Sequence, residues 1–129
     1  MLAPLRRCLI GLALAAAGAL PAAAAGELRL LMVEQSGCSY CLQWHTEIGP
    51  IYPKTPEGAA APLETVQLRG PLPEGVRLNG PAVFTPTFVL VQDGAEVGRI
   101  EGYPGEDFFW GLLGQALEKA GAELPDPAG

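Results

Sequence analysis

The chain has 129 residues, room for one domain of ordinary size and not for two. Its 14 acidic residues outnumber the 8 basic ones, for a net charge of −6. That balance argues against nucleic-acid binding through a basic patch and against docking on anionic lipid.

The first 25 residues read as a leader and not as part of the domain. Arg6 and Arg7 supply positive charge, Cys8 to Leu20 form a short apolar core, and Ala-rich residues run up to Ala25 and Gly26. This is the pattern of a secretory signal peptide with cleavage after Ala25. The alternative is an uncleaved anchor, but the apolar run is shorter than the roughly 20 residues a span needs. Cys8 precedes the apolar core, so a lipoprotein signal is not read here. The arginine pair also fits twin-arginine export. Cleavage leaves a domain over residues 26–123 and a Pro- and Gly-containing tail over 124–129. The exported chain keeps every acidic residue and loses two arginines, so it is more acidic still. It also loses Cys8, leaving Cys38 and Cys41, an even count that permits a disulfide outside the cytoplasm.

Glu27 to Glu34 is nearly all apolar and bulky, which predicts a strand covered on both faces. Gln35-Ser36-Gly37 interrupts it. From Cys38 to Ile48 the apolar residues Cys41, Trp44 and Ile48 recur at helical spacing, and Gly49-Pro50 stops the helix. Ile51 to Pro62, with three prolines and a glycine, reads as a loop with at most a short turn. Leu63 to Leu68 alternates as a second strand. Gly70 to Pro81 holds three prolines and three glycines, which rules out a long helix. Thr87 to Gln92 is a strand, Asp93-Gly94 a hairpin turn, and Glu96 to Glu101 the returning strand. Gly102 to Gly105 turns the chain into a final helix, Glu106 to Ala120. Phe109, Leu112, Leu113, Ala116, Leu117 and Ala120 make its apolar stripe, and Gly121 ends it. The expected fold is α/β: a small mixed four-stranded sheet with helices on both faces.

Cys38-Ser39-Tyr40-Cys41 opens the first helix, where two cysteines three apart can close a small disulfide. A helix N-terminus offers free N–H groups and a positive dipole end, which favour a thiolate, the attacking species in disulfide exchange. Cys38, further out, is the expected nucleophile, and Cys41, one turn in, the expected resolving thiol. A four-cysteine zinc site lacks the thiols it needs, and covalent haem lacks the histidine that Leu42 replaces. A permanently closed disulfide remains open as a reading, as does a copper site of Cys38, Cys41 and His45, the one histidine.

A strand, then C-x-x-C opening a helix, then Thr85-Pro86-Thr87 entering a strand and hairpin resembles the thioredoxin superfamily. The run Gly37 to Trp44, followed by Glu47 to Thr55, is similar to the SoxS-type periplasmic thioredoxins of bacterial sulfur oxidation. The resemblance implies a thioredoxin-like fold, a cis Pro86 and a redox-active Cys38–Cys41 disulfide. It also implies substrate contacts at Ser39, Tyr40, Thr85 and Pro86. The implied function is that of a periplasmic thiol–disulfide oxidoreductase, reducing a cysteine or mixed disulfide on a protein such as a sulfur-oxidation carrier. A membrane thiol transporter would supply electrons. The protein is expected to be a monomer, with no cofactor, no metal and no nucleic acid. A copper-binding chaperone and a disulfide isomerase or oxidase are the alternatives. His45 reads first as a solvated helix position and second as an acid–base group. Glu34 is a candidate for shuttling the Cys41 proton, although it does not match the family's usual carboxylate position. Trp44 reads as core.

Overall fold

Two strands of the chain are almost wholly apolar, and two alternate with polar residues. The computed structural model, which describes Gly18 and residues 26–125, sorts them accordingly. β1 (Leu28–Glu34) and β3 (Thr87–Gln92) lie in the middle of the sheet. β2 (Leu63–Gln67) and β4 (Ala95–Glu101) form its edges, in the order β2-β1-β3-β4. β1 and β2 run parallel, with Leu30 opposite Leu63 and Glu34 opposite Gln67. β3 is antiparallel to β1, with Val33 opposite Thr87, and to β4, with Thr87 opposite Glu101. Asp93 and Gly94 both take positive φ (50° and 84°), the twist that suits a two-residue hairpin. The register slips between Leu90 and Val91, so Val97 is the extra residue of a bulge. The expected leader, apart from Gly18, and the last four residues of the expected tail lie outside the described residues.

The pleat separates two cores. Leu28, Leu30, Met32, Phe88, Leu90 and Ile100 share one face with residues of α1 (Ser39–Glu47) and α3 (Glu106–Lys119). Trp44 of α1 sits at the centre, its ring centroid 5.3 Å from Phe88 and 5.7 Å from Phe109. A side chain of this kind contributes about 1.5–3 kcal/mol or more when fully buried. Gly98 of β4 lets α3 approach: a Cβ there would lie 3.1 Å from that of Ala116.

The small mixed four-stranded sheet flanked by helices is present, but both long helices cover the same face. This corrects the expectation of helices on both. On the other face, Leu31, Val89 and Val91 pack under Val76 and the partly buried Leu78. These come from the Pro- and Gly-rich run that cannot form a helix. That run is tied down instead by single bonds. The Arg77 N–H donates to Gly94 O at 2.8 Å, and the Asn79 N–H to Glu96 Oε2 at 2.6 Å. Arg99 donates to Gly80 O, to Pro81 O and to both oxygens of Glu96.

The segment read as a loop after α1 is also more ordered than expected. A 3-10 turn (Tyr52–Lys54) leads into a short helix, α2 (Pro56–Ala60). Thr55 caps α2 by accepting the Gly58 N–H at 3.0 Å, with Pro56 at the first helical position. The buried Tyr52 hydroxyl donates to Ala61 O at 2.6 Å. No described helix is long and apolar enough to cross a membrane.

Candidate active site

β1 stops where its apolar run stops. The chain turns through Gln35 to Gly37, with Gly37 at φ 78°, a conformation that favours glycine. It enters α1 at Cys38. Cys38 is the N-cap, with extended backbone, and its Sγ accepts the Cys41 N–H at 3.1 Å. One of the free N–H groups of the helix end is therefore aimed at this sulfur. The first turn of α1 holds no acidic residue to oppose negative charge there. Cys38 and Cys41 are joined as a disulfide, with Cα atoms 5.2 Å apart. Cys38 is half-buried and Cys41 is 4% exposed, packed in the main core with Met32 and Trp44.

The antiparallel pairing of Val33 with Thr87 carries Thr85 and Pro86 alongside Glu34 and Gln35. The Gln35 side chain donates to Thr85 Oγ1 at 2.9 Å, so the segment leading into Cys38 is bonded to the segment before β3. The Thr85–Pro86 peptide bond is cis, and Pro86 is buried. Thr87 Oγ1 donates to Phe84 O at 2.7 Å and closes the turn.

A cleft of about 500 Å³ opens beside the disulfide. It is lined by Glu34, Gln35, Cys38, Ser39, Cys41 and His45, with Gly37 and Leu42. Ser39 is exposed on its wall. Tyr40 is 60% exposed and lies outside this lining. Phe84 and Phe108 are exposed, whereas Phe109 is core. Trp44 occupies the core position expected of it.

The structure brings together two residues that sequence treats singly: Glu34 Oε2 lies 2.6 Å from His45 Nε2. It also adds Gln35, for which sequence offered no signal. A second polar link fastens α1 from its other side. The buried Tyr103 hydroxyl donates to Glu47, which also accepts from Gln43. The bond from Tyr103, then that from Gln43, holds the Glu47 carboxyl below its usual range. Burial, reinforced by the bond to Glu47, pushes the Tyr103 hydroxyl up. Among the described residues, no group of three or more His, Cys, Asp or Glu side chains is arranged to hold a metal ion.

A mixed sheet, a disulfide at the tip of the first helix and a cis proline before the third strand together define a thioredoxin-like dithiol protein. A family model of a thioredoxin-like domain matches residues 20–117, and the chain belongs to that family. It is similar to the crystal structure of the periplasmic thioredoxin SoxS from Paracoccus pantotrophus in its reduced form. The two are 57% identical over 73% of this chain and 99% of that one, with a TM-score of 0.71. The thioredoxin of Fasciola hepatica, 17% identical over 70% of this chain and 82% of that one, shares the fold, with a TM-score of 0.51. No curated protein sequence matches. The chain is a thiol–disulfide oxidoreductase, of the kind that acts on protein substrates through its cysteines.

Proposed function

We propose that this protein is an exported disulfide reductase in which Cys38 is the nucleophile and Cys41 the resolving thiol. The observation that carries the assignment is the contrast between the two sulfurs. Cys38 caps α1 in contact with the open cleft and receives a backbone N–H, whereas Cys41 is packed in the core behind it. In the reduced protein the Cys38 sulfur at that position is the thiolate, favoured by the N–H bond and the helix end. It attacks one sulfur of a partner disulfide, forms a mixed disulfide and releases the other partner sulfur as a thiolate. Cys41 then attacks Cys38. The Cys38–partner bond breaks, the partner leaves fully reduced, and the Cys38–Cys41 disulfide has taken over the oxidation.

Ser39, Thr85 and Pro86 border this event and are assigned to the partner's contact surface, with Tyr40 at its margin. The periplasm is the proposed compartment. Support comes from the basic, apolar and Ala-rich leader and from the periplasmic relative. The proposed substrate is a cysteine-bearing protein such as a sulfur-oxidation carrier. The proposed electron source is a membrane thiol transporter, and the proposed state is a monomer. Reduction of insulin by dithiothreitol, followed by turbidity, tests the core of this reading. The wild type accelerates precipitation, and Cys38→Ser abolishes the effect. Equal rates for the two proteins overturn it.

A further inference from the structure

Cys41 must lose its proton to attack the mixed disulfide, and it sits where burial opposes ionisation. At 4% exposed, the thiol is surrounded by apolar side chains, which disfavour the thiolate. Among the described residues the buried set holds no carboxylate, imidazole or amine; its polar groups are the hydroxyls of Thr87, Tyr52 and Tyr103 and the indole of Trp44. Met32 of β1, in the same buried cluster as Cys41, is apolar. The proton therefore has no acceptor inside the core.

The cleft provides one. Apart from the cysteines, the titratable side chains on its wall are Glu34 and His45. His45 follows Cys41 by one turn and Cys38 by two, so all three share a face of α1. Glu34, the last residue of β1, reaches up to His45 at 2.6 Å. Both are partly buried, at 40% exposed for His45 and 23% for Glu34. The other ionisable groups around α1 are engaged elsewhere or point away. Glu47 is bonded to Tyr103 and Gln43, and Tyr40 is exposed outside the cleft lining. The adjoining Thr85–Pro86 segment carries no charge.

We propose that Glu34 and His45 form a proton relay that serves Cys41 during resolution, which rests on the assignment of Cys38 and Cys41 above. With the Nε2–H donated to Glu34, Nδ1 of His45 holds the free lone pair. The Cys41 proton passes through cleft water to Nδ1, and the Glu34 carboxylate stabilises the imidazolium so formed. The Cys41 thiolate bonds to Cys38 Sγ, and the Cys38–partner bond breaks with its electron pair going to the partner sulfur. That sulfur takes the proton from the imidazolium, and His45 returns to its starting state. Glu34 is a positioning residue, acting through His45.

Stopped-flow reaction of the reduced protein with excess dithiobis(nitrobenzoate) separates the two steps. The first thionitrobenzoate leaves when Cys38 is captured. The second leaves when Cys41 attacks, at a rate independent of reagent concentration. His45→Gln is expected to keep the first release at the wild-type rate and to slow the second at least about tenfold near pH 7. The deficit should narrow steadily as pH rises, because hydroxide reaching the cleft then competes with His45 as the proton acceptor. Glu34→Gln should give a smaller slowing with the same pH trend. In His45→Ala, added imidazole should restore the second release. Superimposable second-phase profiles for wild type and His45→Gln overturn the relay while leaving the reductase reading in place. A wild type that releases only one thionitrobenzoate removes the resolving role of Cys41 itself, and the relay with it.

Discussion

Trp44 is where the packing behind the disulfide can be measured. Its side chain is completely buried between α1, the sheet and α3, yet its Nε1–H finds no acceptor among the described residues. Two terms therefore oppose each other. Truncating a buried tryptophan to alanine costs about 3–5 kcal/mol through lost contacts and the cavity left behind. A buried donor without a partner costs about 1–3 kcal/mol while it stays. Trp44→Phe keeps a ring against Phe88 and Phe109 and removes the orphaned donor. It gives up only about three heavy atoms, roughly 2 kcal/mol at about 0.8 kcal/mol per methylene. The net change for Trp44→Phe then lies between a gain and a loss of about 1 kcal/mol, against a loss of about 3–5 kcal/mol for Trp44→Ala. Urea denaturation of the oxidised proteins, followed by far-ultraviolet circular dichroism, gives both values without relying on tryptophan emission. If Trp44→Phe proves as costly as Trp44→Ala, the donor is satisfied in the folded protein and the reasoning fails.

Two further substitutions test other parts of the structure. A Cβ at Gly58 would lie 1.9 Å from Tyr52 O and 2.7 Å from its carbonyl carbon, both backbone, while one at Gly114 would meet nothing within 4 Å. Gly58→Ala should therefore lose about 1–3 kcal/mol, and Gly114→Ala should gain up to about 1 kcal/mol. The melting temperatures move in opposite directions if the α2 contact is real. Tyr103→Phe removes the bond to Glu47. The Glu47 carboxyl is held below its usual value of 4.5 and the Tyr103 hydroxyl above its usual value of 10.0, by the causes given above. A lowered carboxyl stabilises the fold above its ordinary value, and a raised hydroxyl stabilises it below its own. The deficit of Tyr103→Phe should thus be full between those limits. It should shrink as pH falls below 4.5 and again as it rises above 10.0. Urea midpoints across pH read this directly, and a deficit that stays constant into acid contradicts it.

The sheet was legible in the sequence because its strands differ in kind. Near-continuous apolar runs became the central strands, alternating ones became edges, and Asp93-Gly94 marked the hairpin. The helix carrying Cys38 and Cys41 was legible from its spacing, and each end shortened by one residue because Cys38 and Ile48 serve as caps. The prolines and glycine of Ile51 to Pro62 pointed to a loop, and the five-residue helix that Thr55 caps was missed. The one-sided placement of the helices was not legible. It depends on Gly70 to Pro81 finding single anchors in Gly94, Glu96 and Arg99, which periodicity does not report. The same holds at the site. Gln35 and Thr85 are 50 residues apart, and Glu34 and His45 are 11 apart across a strand-to-helix turn. Residue type suggests each alone, and only the turn at Gly37 sets the distances between them.

Capture by the outer sulfur is tested most directly by trapping. Reduced Cys41→Ala protein, mixed with a disulfide-bonded peptide and analysed by mass spectrometry after acid quenching, should accumulate a covalent adduct on Cys38. The wild type should pass through that adduct and release reduced peptide. An adduct absent from Cys41→Ala, or wild-type protein that retains the peptide as firmly as the variant does, contradicts the division of labour between the exposed and the buried thiol.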